Sequence, residues 1–554
     1  MQPTQPDVPR TKVTRGHWPR FVRSGRAVGG AIGAAAIGGV AVLFAALVLP
    51  ASHSAQAASG AGSGFWHTSG NQILDSNGTP VRIAGVNWYG FETADYIAHG
   101  LWAQDYHAVI DDIKNLGYNT IRIPLSDQMV ESNPVPTNYS SFNTGPINTD
   151  LKGQTSLQIL DKIIIYAGQD GLKVILDNHR SEAGNSAEQN GLWYTSTYTN
   201  QNWINDWTTL ARRYAGNPTV VGFDLRNEPH TPAGVAYAQG ATWGTGNTAT
   251  DVRLAYEAAG NAILGVDSGA LIFCEGIGET PNSSGGFDST WWGGDLALAG
   301  QFPVTLNSPG HVVYSAHDYG PNLFQQTWFN SSTTSASLDA VWNKFWGYLY
   351  TGNTAPLWVG EFGTGNGSTD VSDSTAGSQG QWFSSLMSFI KSNQWMGFTY
   401  WALNGEDSYA LLDNSYDATP VSSAKQSLLA SDEFPLPGAV NGSPPPTSPP
   451  PTSPPPTGSC SAAYSVTNSW SGGFQGQVVL TNGTTARTSW KLTWTFPGDQ
   501  KINNLWNGIY TQSGEAVTVT NTSYNGSVAA GGTVTVGFTA TDTNNTAPTS
   551  ITCS

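Results

Sequence analysis

Glu228 and Glu361 each close a short run of β-branched and aromatic residues, in Phe223-Asp-Leu-Arg-Asn227-Glu228-Pro and Trp358-Val-Gly-Glu361-Phe-Gly. Similar runs deliver Arg122, then Asp177 with His179, then Glu275, then His317, Asp318 and Tyr319, and last Trp401. A lone histidine or glutamate in such a run is most often a satisfied core group. So many polar residues ending successive runs, in a chain with only 11% charged residues, point instead to a reaction centre. Two carboxyl groups beside an arginine, histidines and a tyrosine suit acid–base chemistry joined to nucleophilic attack. One protonated acid would serve a leaving oxygen and one ionised carboxylate would attack or activate water, which is what hydrolysis of a glycosidic bond requires. Competing centres are missing: there is no G-x-S-x-G elbow and no pair of histidines at i, i+4. His317-Asp318 alone could ligate a metal, but Asp177 and His179 read as a hydrogen-bonding set, and the three cysteines stand too far apart for zinc. Neither a metal site nor a cofactor is expected.

These residues need a scaffold that brings the ends of successive strands together. Eight runs have strand character: 81–88, 119–125, 173–179, 220–228, 270–276, 311–319, 356–362 and 397–403. Amphipathic stretches at 105–116, 156–170, 203–214, 252–266 and 379–392 have helical spacing and fall between them. Eight strands alternating with helices predict an α/β fold, a (β/α)8 TIM barrel, whose strand C-termini face the active site. A doubly wound sheet is the second choice, weakened because no glycine-rich fingerprint follows the first strand. In this frame Glu228 and Glu361, on the fourth and seventh strands, lie across the barrel mouth. Trp88, Trp193 and Trp243 fall in post-strand or loop segments, where they either line further subsites or pack.

Beyond the barrel the pattern changes. Residues 438–459 carry Ser-Pro-Pro-Pro-Thr repeats, which form no core and predict an extended polyproline II spacer. From residue 460 onward, short alternating runs at 477–481, 490–496, 516–520 and 533–539 are separated by Gly, Asn and Ser turns and predict an all-β sandwich. Cys460 and Cys553 bracket this segment and are expected to form one disulfide, while Cys274 sits in an apolar run as a buried free thiol. Trp490 and Trp494 alternate with Leu492 and read as core.

The segments Asn119-Thr-Ile-Arg122-Ile-Pro, Leu176-Asp-Asn-His179, Phe223-Asp-Leu-Arg-Asn227-Glu228-Pro, Ser315-Ala-His317-Asp-Tyr319, Trp358-Val-Gly-Glu361-Phe-Gly and Tyr400-Trp401 resemble family 5 glycoside hydrolases of clan A, and within them secreted bacterial endo-β-1,4-glucanases. The resemblance implies retention, with Glu228 as acid/base and Glu361 as nucleophile. It also implies Asn227 on the sugar 2-hydroxyl, His179 and His317 on sugar hydroxyls, Arg122 and Tyr319 beside the nucleophile, and Trp401 beneath the sugar at the cleavage point. Residues 460–554 resemble family 2 carbohydrate-binding modules through Asn468-Ser-Trp470-Ser-Gly-Gly-Phe474, Val479-Leu-Thr-Asn482, Leu505-Trp506-Asn507 and the bracketing cysteines. That resemblance implies a flat cellulose-binding strip of Trp470, Trp506 and, where the family usually carries Trp, Tyr524.

Composition bounds the rest. Of the 23 Lys and Arg residues, Arg10, Lys12, Arg15, Arg20, Arg23 and Arg26 precede an uncharged run at 27–50 and the small-residue motif Ala55-Gln56-Ala57. This order predicts a secretory signal over residues 1–57, cleaved after Ala57; a retained anchor is the alternative. The expected layout is therefore 1–57 signal peptide, 58–437 barrel, 438–459 linker and 460–554 sandwich. The whole chain has a formal charge of -16. Without the leader it is more acidic still, which excludes a nucleic-acid partner and favours solubility. The expected partner is a polysaccharide, met outside the cell by a monomer that is not membrane-bound. Mannan, xyloglucan and mixed-linkage glucan remain open as substrates, as does a non-catalytic polysaccharide-binding role.

Overall fold

The computed structural model describes residues 61–139, 147–433 and 460–554, apart from 471, 472, 507, 523, 524, 529, 531, 542–546 and 549. The expected leader (1–57) and linker (438–459) lie outside the described residues. Two compact units result, and each is described by itself.

The first is a closed barrel of eight parallel strands: β1 (Ala84–Asn87), β2 (Thr120–Ser126), β3 (Lys173–Arg180), β4 (Val220–Asp224), β5 (Leu271–Glu275), β6 (Val312–His317), β7 (Leu357–Glu361) and β8 (Gly397–Tyr400). Pairing of Phe398 with Ala84 joins β8 back to β1, so the doubly wound alternative is excluded. All eight expected barrel strands exist; six are shorter than expected, while β2 and β3 each run one residue past the expected end, to Ser126 and Arg180. Val81 belongs to a small antiparallel sheet of His67–Ser69, Gln72–Leu74 and Pro80–Val81 rather than to β1. The chain leaves β4 after Asp224, ahead of Glu228, whose φ of 50° no strand admits.

Helices cover the barrel for reasons visible in their sequences. In Gln379–Ser392 the Ser378 hydroxyl accepts from the Gln381 N–H, and Trp382, Phe383, Leu386, Met387, Phe389 and Ile390 form the buried stripe. Asn200–Tyr214 begins three residues before the expected Trp203, because Thr199 and Asn202 cap each other's backbone N–H groups. Trp88, Trp193 and Trp243 are packing residues and not subsite walls: each is no more than 2% exposed. Their indole N–H groups donate to His99 O, Asn200 Oδ1 and Phe302 O. Truncating one such ring would cost about 3–5 kcal/mol. Cys274 is a buried free thiol, as expected.

The second unit is a sandwich of two four-stranded antiparallel sheets. One runs Ser461–Trp470, Gly473–Thr481, Thr533–Thr541, Lys501–Trp506; the other runs Ile509–Ser513, Ala516–Thr520, Lys491–Thr495, Ile551–Cys553. Phe474, Val478, Trp490, Leu492, Trp494, Phe496 and Phe538 fill the space between them. The Cys460–Cys553 disulfide is present; it joins the residue before the first sheet's edge strand to the last strand of the second sheet. The cellulose-strip expectation falls outside the described residues: Tyr524 is among those excluded, and Trp470 and Trp506 are described only as backbone within their strands.

Candidate active site

Arg122 is the centre around which the barrel mouth is organised. It is the third residue of β2, not its end, and it is fully buried. Its Nη1 donates to Glu361 Oε1 at 2.6 Å and to Asn87 Oδ1 at 3.0 Å, its Nε to Asp224 Oδ2 at 2.9 Å, and its Nη2 to Asn227 Oδ1 and Glu275 Oε1, both at 3.1 Å. Asp177 Oδ1 also lies 3.1 Å from Nη2. One guanidinium thus fixes groups from strands β1, β3, β4, β5 and β7. Burying so many carboxylates is tolerable only because that fork supplies directed donors and charge together.

Glu361 ends β7 with its other oxygen, Oε2, accepting from the Tyr319 hydroxyl at 3.0 Å. Burial by itself would push its carboxyl up, but the charges of His317, Arg122 and His179 outweigh burial and hold it below the ordinary carboxylate range. Burial of Tyr319 keeps the phenol protonated, and so a donor.

Glu228 sits just beyond β4 in the left-handed region. Its Oε1 is 3.1 Å from His317 Nδ1, and its side chain is 18% exposed, more than any other carboxylate of the cluster. Burial pushes its carboxyl up; the hydrogen bond from His317 opposes this, while Glu361 and Glu275 add to it. The two glutamates therefore diverge, one favouring the acid and one the anion. Atoms of Glu228, His317 and Glu361 lie within 4.8 Å of one another, so the two carboxylates face each other closely.

His317 ends β6, and its Nε2 is 3.2 Å from Glu275 Oε1. Burial would lower its pKa, yet Glu275, Glu361 and Glu228 raise it well above the usual histidine value, which favours the charged ring. In that form the ring is the cation of the trio, a donor to the carboxylates around it rather than a lone-pair ligand. The second cluster of close donors, Asp177, Asp224 and Glu275, already encloses the Arg122 guanidinium. Neither cluster among the described residues fits a metal ion better than it fits the cation it holds.

His179 Nδ1 meets Asp177 Oδ2 at 2.8 Å, and its Nε2 is 3.4 Å from Asn227 Nδ2. The Trp401 ring lies nearly parallel to both His179 and Tyr89, with centroids 5.5 and 5.4 Å away, and its indole N–H donates to Asp407 Oδ2. Lys425, wholly buried, ties this wall together by donating to the carbonyls of Thr364, Tyr409 and Ala410. The structure thus gathers Arg122, His179, Asn227, Glu228, His317, Tyr319, Glu361 and Trp401 in one mouth. Sequence reasoning gave no part to Asn87, Asp224, Tyr89 or Asp407; Asn87 ends β1 and Asp224 ends β4, the same positional signal that marked the others.

Residues 74–407 match the family model "Cellulase (glycosyl hydrolase family 5)", and residues 460–554 match "Cellulose binding domain". An endoglucanase of Paenibacillus polymyxa is 43% identical over 369 residues, 66% of this chain and 86% of the relative. The major extracellular endoglucanase of Xanthomonas campestris pv. campestris is 35% identical over 494 residues, 86% of this chain and 95% of the relative. Among solved structures, a hyperthermophilic endocellulase from the archaeon Pyrococcus horikoshii superposes with a TM-score of 0.59 at 33% identity, covering 68% of this chain and 99% of that one. The barrel, its eight converging residues and a family match across most of the first unit lead to one conclusion: this chain belongs to glycosyl hydrolase family 5, carries a C-terminal cellulose-binding domain, and is a glycoside hydrolase.

Proposed function

We propose that the chain is a secreted endo-β-1,4-glucanase that hydrolyses internal bonds of cellulose with retention of anomeric configuration. The observation that supports the mechanism is the close approach of Glu228 and Glu361, with one carboxylate oxygen of each within 4.8 Å of the other. Carboxyl groups about 5–5.5 Å apart suit a covalent glycosyl intermediate, whereas inversion needs about 6.5–9.5 Å to seat a water. In the first step a Glu361 oxygen bonds to the anomeric carbon as the bond to the leaving oxygen breaks, and that oxygen takes the Glu228 proton. Glycosylation cancels the negative charge of Glu361, so Glu228 becomes the stronger acid and remains ionised as a base. In the second step Glu228 takes a proton from water, the water oxygen bonds to the anomeric carbon, and the Glu361 carboxylate leaves.

Arg122 and Tyr319 hold the Glu361 carboxylate in place for attack. Asn227, whose Oδ1 is occupied by Arg122 and whose Nδ2 lies 3.4 Å from His179 Nε2, would use its amide N–H on the 2-hydroxyl, a bond that strengthens at the oxocarbenium-like transition state. His179 and His317 orient neighbouring groups, and Trp401 offers a ring face to the sugar. Residues 460–554, with Trp470, Trp506 and Tyr524 as the stacking strip, keep the enzyme on its insoluble substrate. Residues 1–57 direct export, and 438–459 serve as the linker. Cellulose as substrate is supported by the endoglucanase names of the relatives at 43% and 35% identity. Reducing-sugar release from carboxymethylcellulose, mannan, xyloglucan and mixed-linkage glucan tests this. The fastest turnover is expected on carboxymethylcellulose, and preference for mannan or xyloglucan would overturn the substrate assignment.

A further inference from the structure

We infer that Glu275, at the end of β5, is a positioning residue for the acid/base group: it fixes the Glu228 backbone and the His317 ring, so that the proton of Glu228 is aimed at the leaving oxygen. This rests on the glycosidase reading above and assigns a part to a carboxylate which that reading does not use. Glu275 is completely buried, and its two oxygens do different work. Oε2 accepts the Glu228 N–H at 2.7 Å, and Oε1 takes Arg122 Nη2 at 3.1 Å and faces His317 Nε2 at 3.2 Å.

The first contact matters because Glu228 is held at φ 50°, a left-handed conformation that a residue with a long side chain keeps only when its surroundings over-determine it. A charge-assisted bond to its N–H is such a constraint. The second matters because His317 Nδ1 is the group that touches the Glu228 carboxyl. Oε1 stands as the counter-charge to the far nitrogen of that ring, 3.2 Å away. Gly293 closes the arrangement from the β5 loop. A Cβ on it would stand 2.5 Å from Glu275 Oε2 and 3.4 Å from Glu228 Cα, and its φ of 72° already disfavours a side chain. The loop backbone therefore packs directly on the carboxylate that holds Glu228.

Glutamine cannot replace Glu275. Both of its oxygens face donors, and an amide would turn an N–H toward one of them. The charged and titratable groups that face this pocket are Arg122 on β2, Asp177 on β3, Asp224 and Glu228 on and after β4, His317 on β6 and Glu361 on β7.

The experiment separates acid assistance from everything else by leaving-group chemistry. A 2,4-dinitrophenyl cellobioside leaves without protonation, whereas cellotetraose needs it, and kcat/KM reports the bond-breaking step for both. For Glu275→Gln, kcat/KM on cellotetraose is expected to fall about 100-fold while that on the dinitrophenyl substrate falls less than about threefold. Gly293→Ala, which displaces the carboxylate without removing its charge, should give the same selective loss, and it carries the test if Glu275→Gln does not fold. An equal fall on both substrates, or no fall on either, overturns the positioning role. A wild-type enzyme inactive on both substrates would overturn the glycosidase reading itself.

Discussion

Glu228 and Glu361 face one another across a single imidazole: His317 Nδ1 is 3.1 Å from an oxygen of Glu228 and 3.6 Å from an oxygen of Glu361. The arrangement gives one proton donor to two carboxylates of unequal basicity. Because Glu361 also has Arg122 and Tyr319, its carboxyl is held down toward the anion, while that of Glu228, more poorly supplied, is pushed up toward the acid.

The pH profile of kcat/KM should accordingly be a bell. Its acid limb marks protonation of Glu361, below the usual carboxylate range, and its alkaline limb marks ionisation of Glu228, above it. Replacing Glu361 by Gln should abolish turnover and lower the Glu228 pKa, since a neighbouring negative charge is removed. Carbon NMR titration of labelled glutamate checks the shift; a Glu228 that titrates unchanged or higher would contradict the coupling.

Arg122→Met should leave Glu361, Glu275, Asp177 and Asp224 without their common cation. Removing one partner of a buried ion pair costs about 3–5 kcal/mol, so urea denaturation at pH 7 should show a loss of at least that size. The sign with pH follows from linkage. A carboxyl whose folded pKa is depressed, as for Glu361, contributes stability above its unfolded value and loses it as pH falls through the folded one. The wild-type advantage over Arg122→Met should therefore shrink on acidification. An advantage that grows toward low pH would refute the pairing.

Trp401→Ala should weaken productive binding. Its ring, partly exposed as Tyr89 is, stands in a row with Tyr89 and buried His179, and its indole N–H is held by Asp407. About tenfold lower kcat/KM on cellotetraose, or about 1.4 kcal/mol, is expected with thermal stability little changed. Unaltered kcat/KM would remove Trp401 from the sugar site.

The double variant Trp470→Ala, Trp506→Ala should no longer pellet with microcrystalline cellulose, while its turnover of soluble carboxymethylcellulose stays at the wild-type level. Adding Tyr524→Ala should remove any residual binding. Undiminished pelleting of the triple variant would show that the strip lies elsewhere on residues 460–554.

What the sequence disclosed followed physical periodicity. The barrel was legible because each strand is a buried, β-branched run and each helix carries an apolar stripe, as Gln379–Ser392 does without error at either end. Ser461–Trp470 and Ile509–Ser513 escaped notice because Ser, Thr, Asn and Gln interrupt their apolar residues, so little distinguishes them from loops. Glu228 and Glu361 stood out because charge is scarce. Glu275 was seen as a strand end but given no role, since only the fold places its oxygens against the Glu228 N–H and the Arg122 guanidinium. Trp88, Trp193 and Trp243 show the converse. An indole in a loop segment looks the same in sequence whether it meets sugar or core, and all three meet core.

The central claim is that Glu228 and Glu361 are a retaining pair, and the stereochemistry of the first product tests it most directly. Proton NMR of cellotetraose hydrolysis, followed before mutarotation, should show the new reducing end appearing as the β-anomer. Appearance of the α-anomer first would mean inversion and would contradict the assignment of Glu361 as nucleophile.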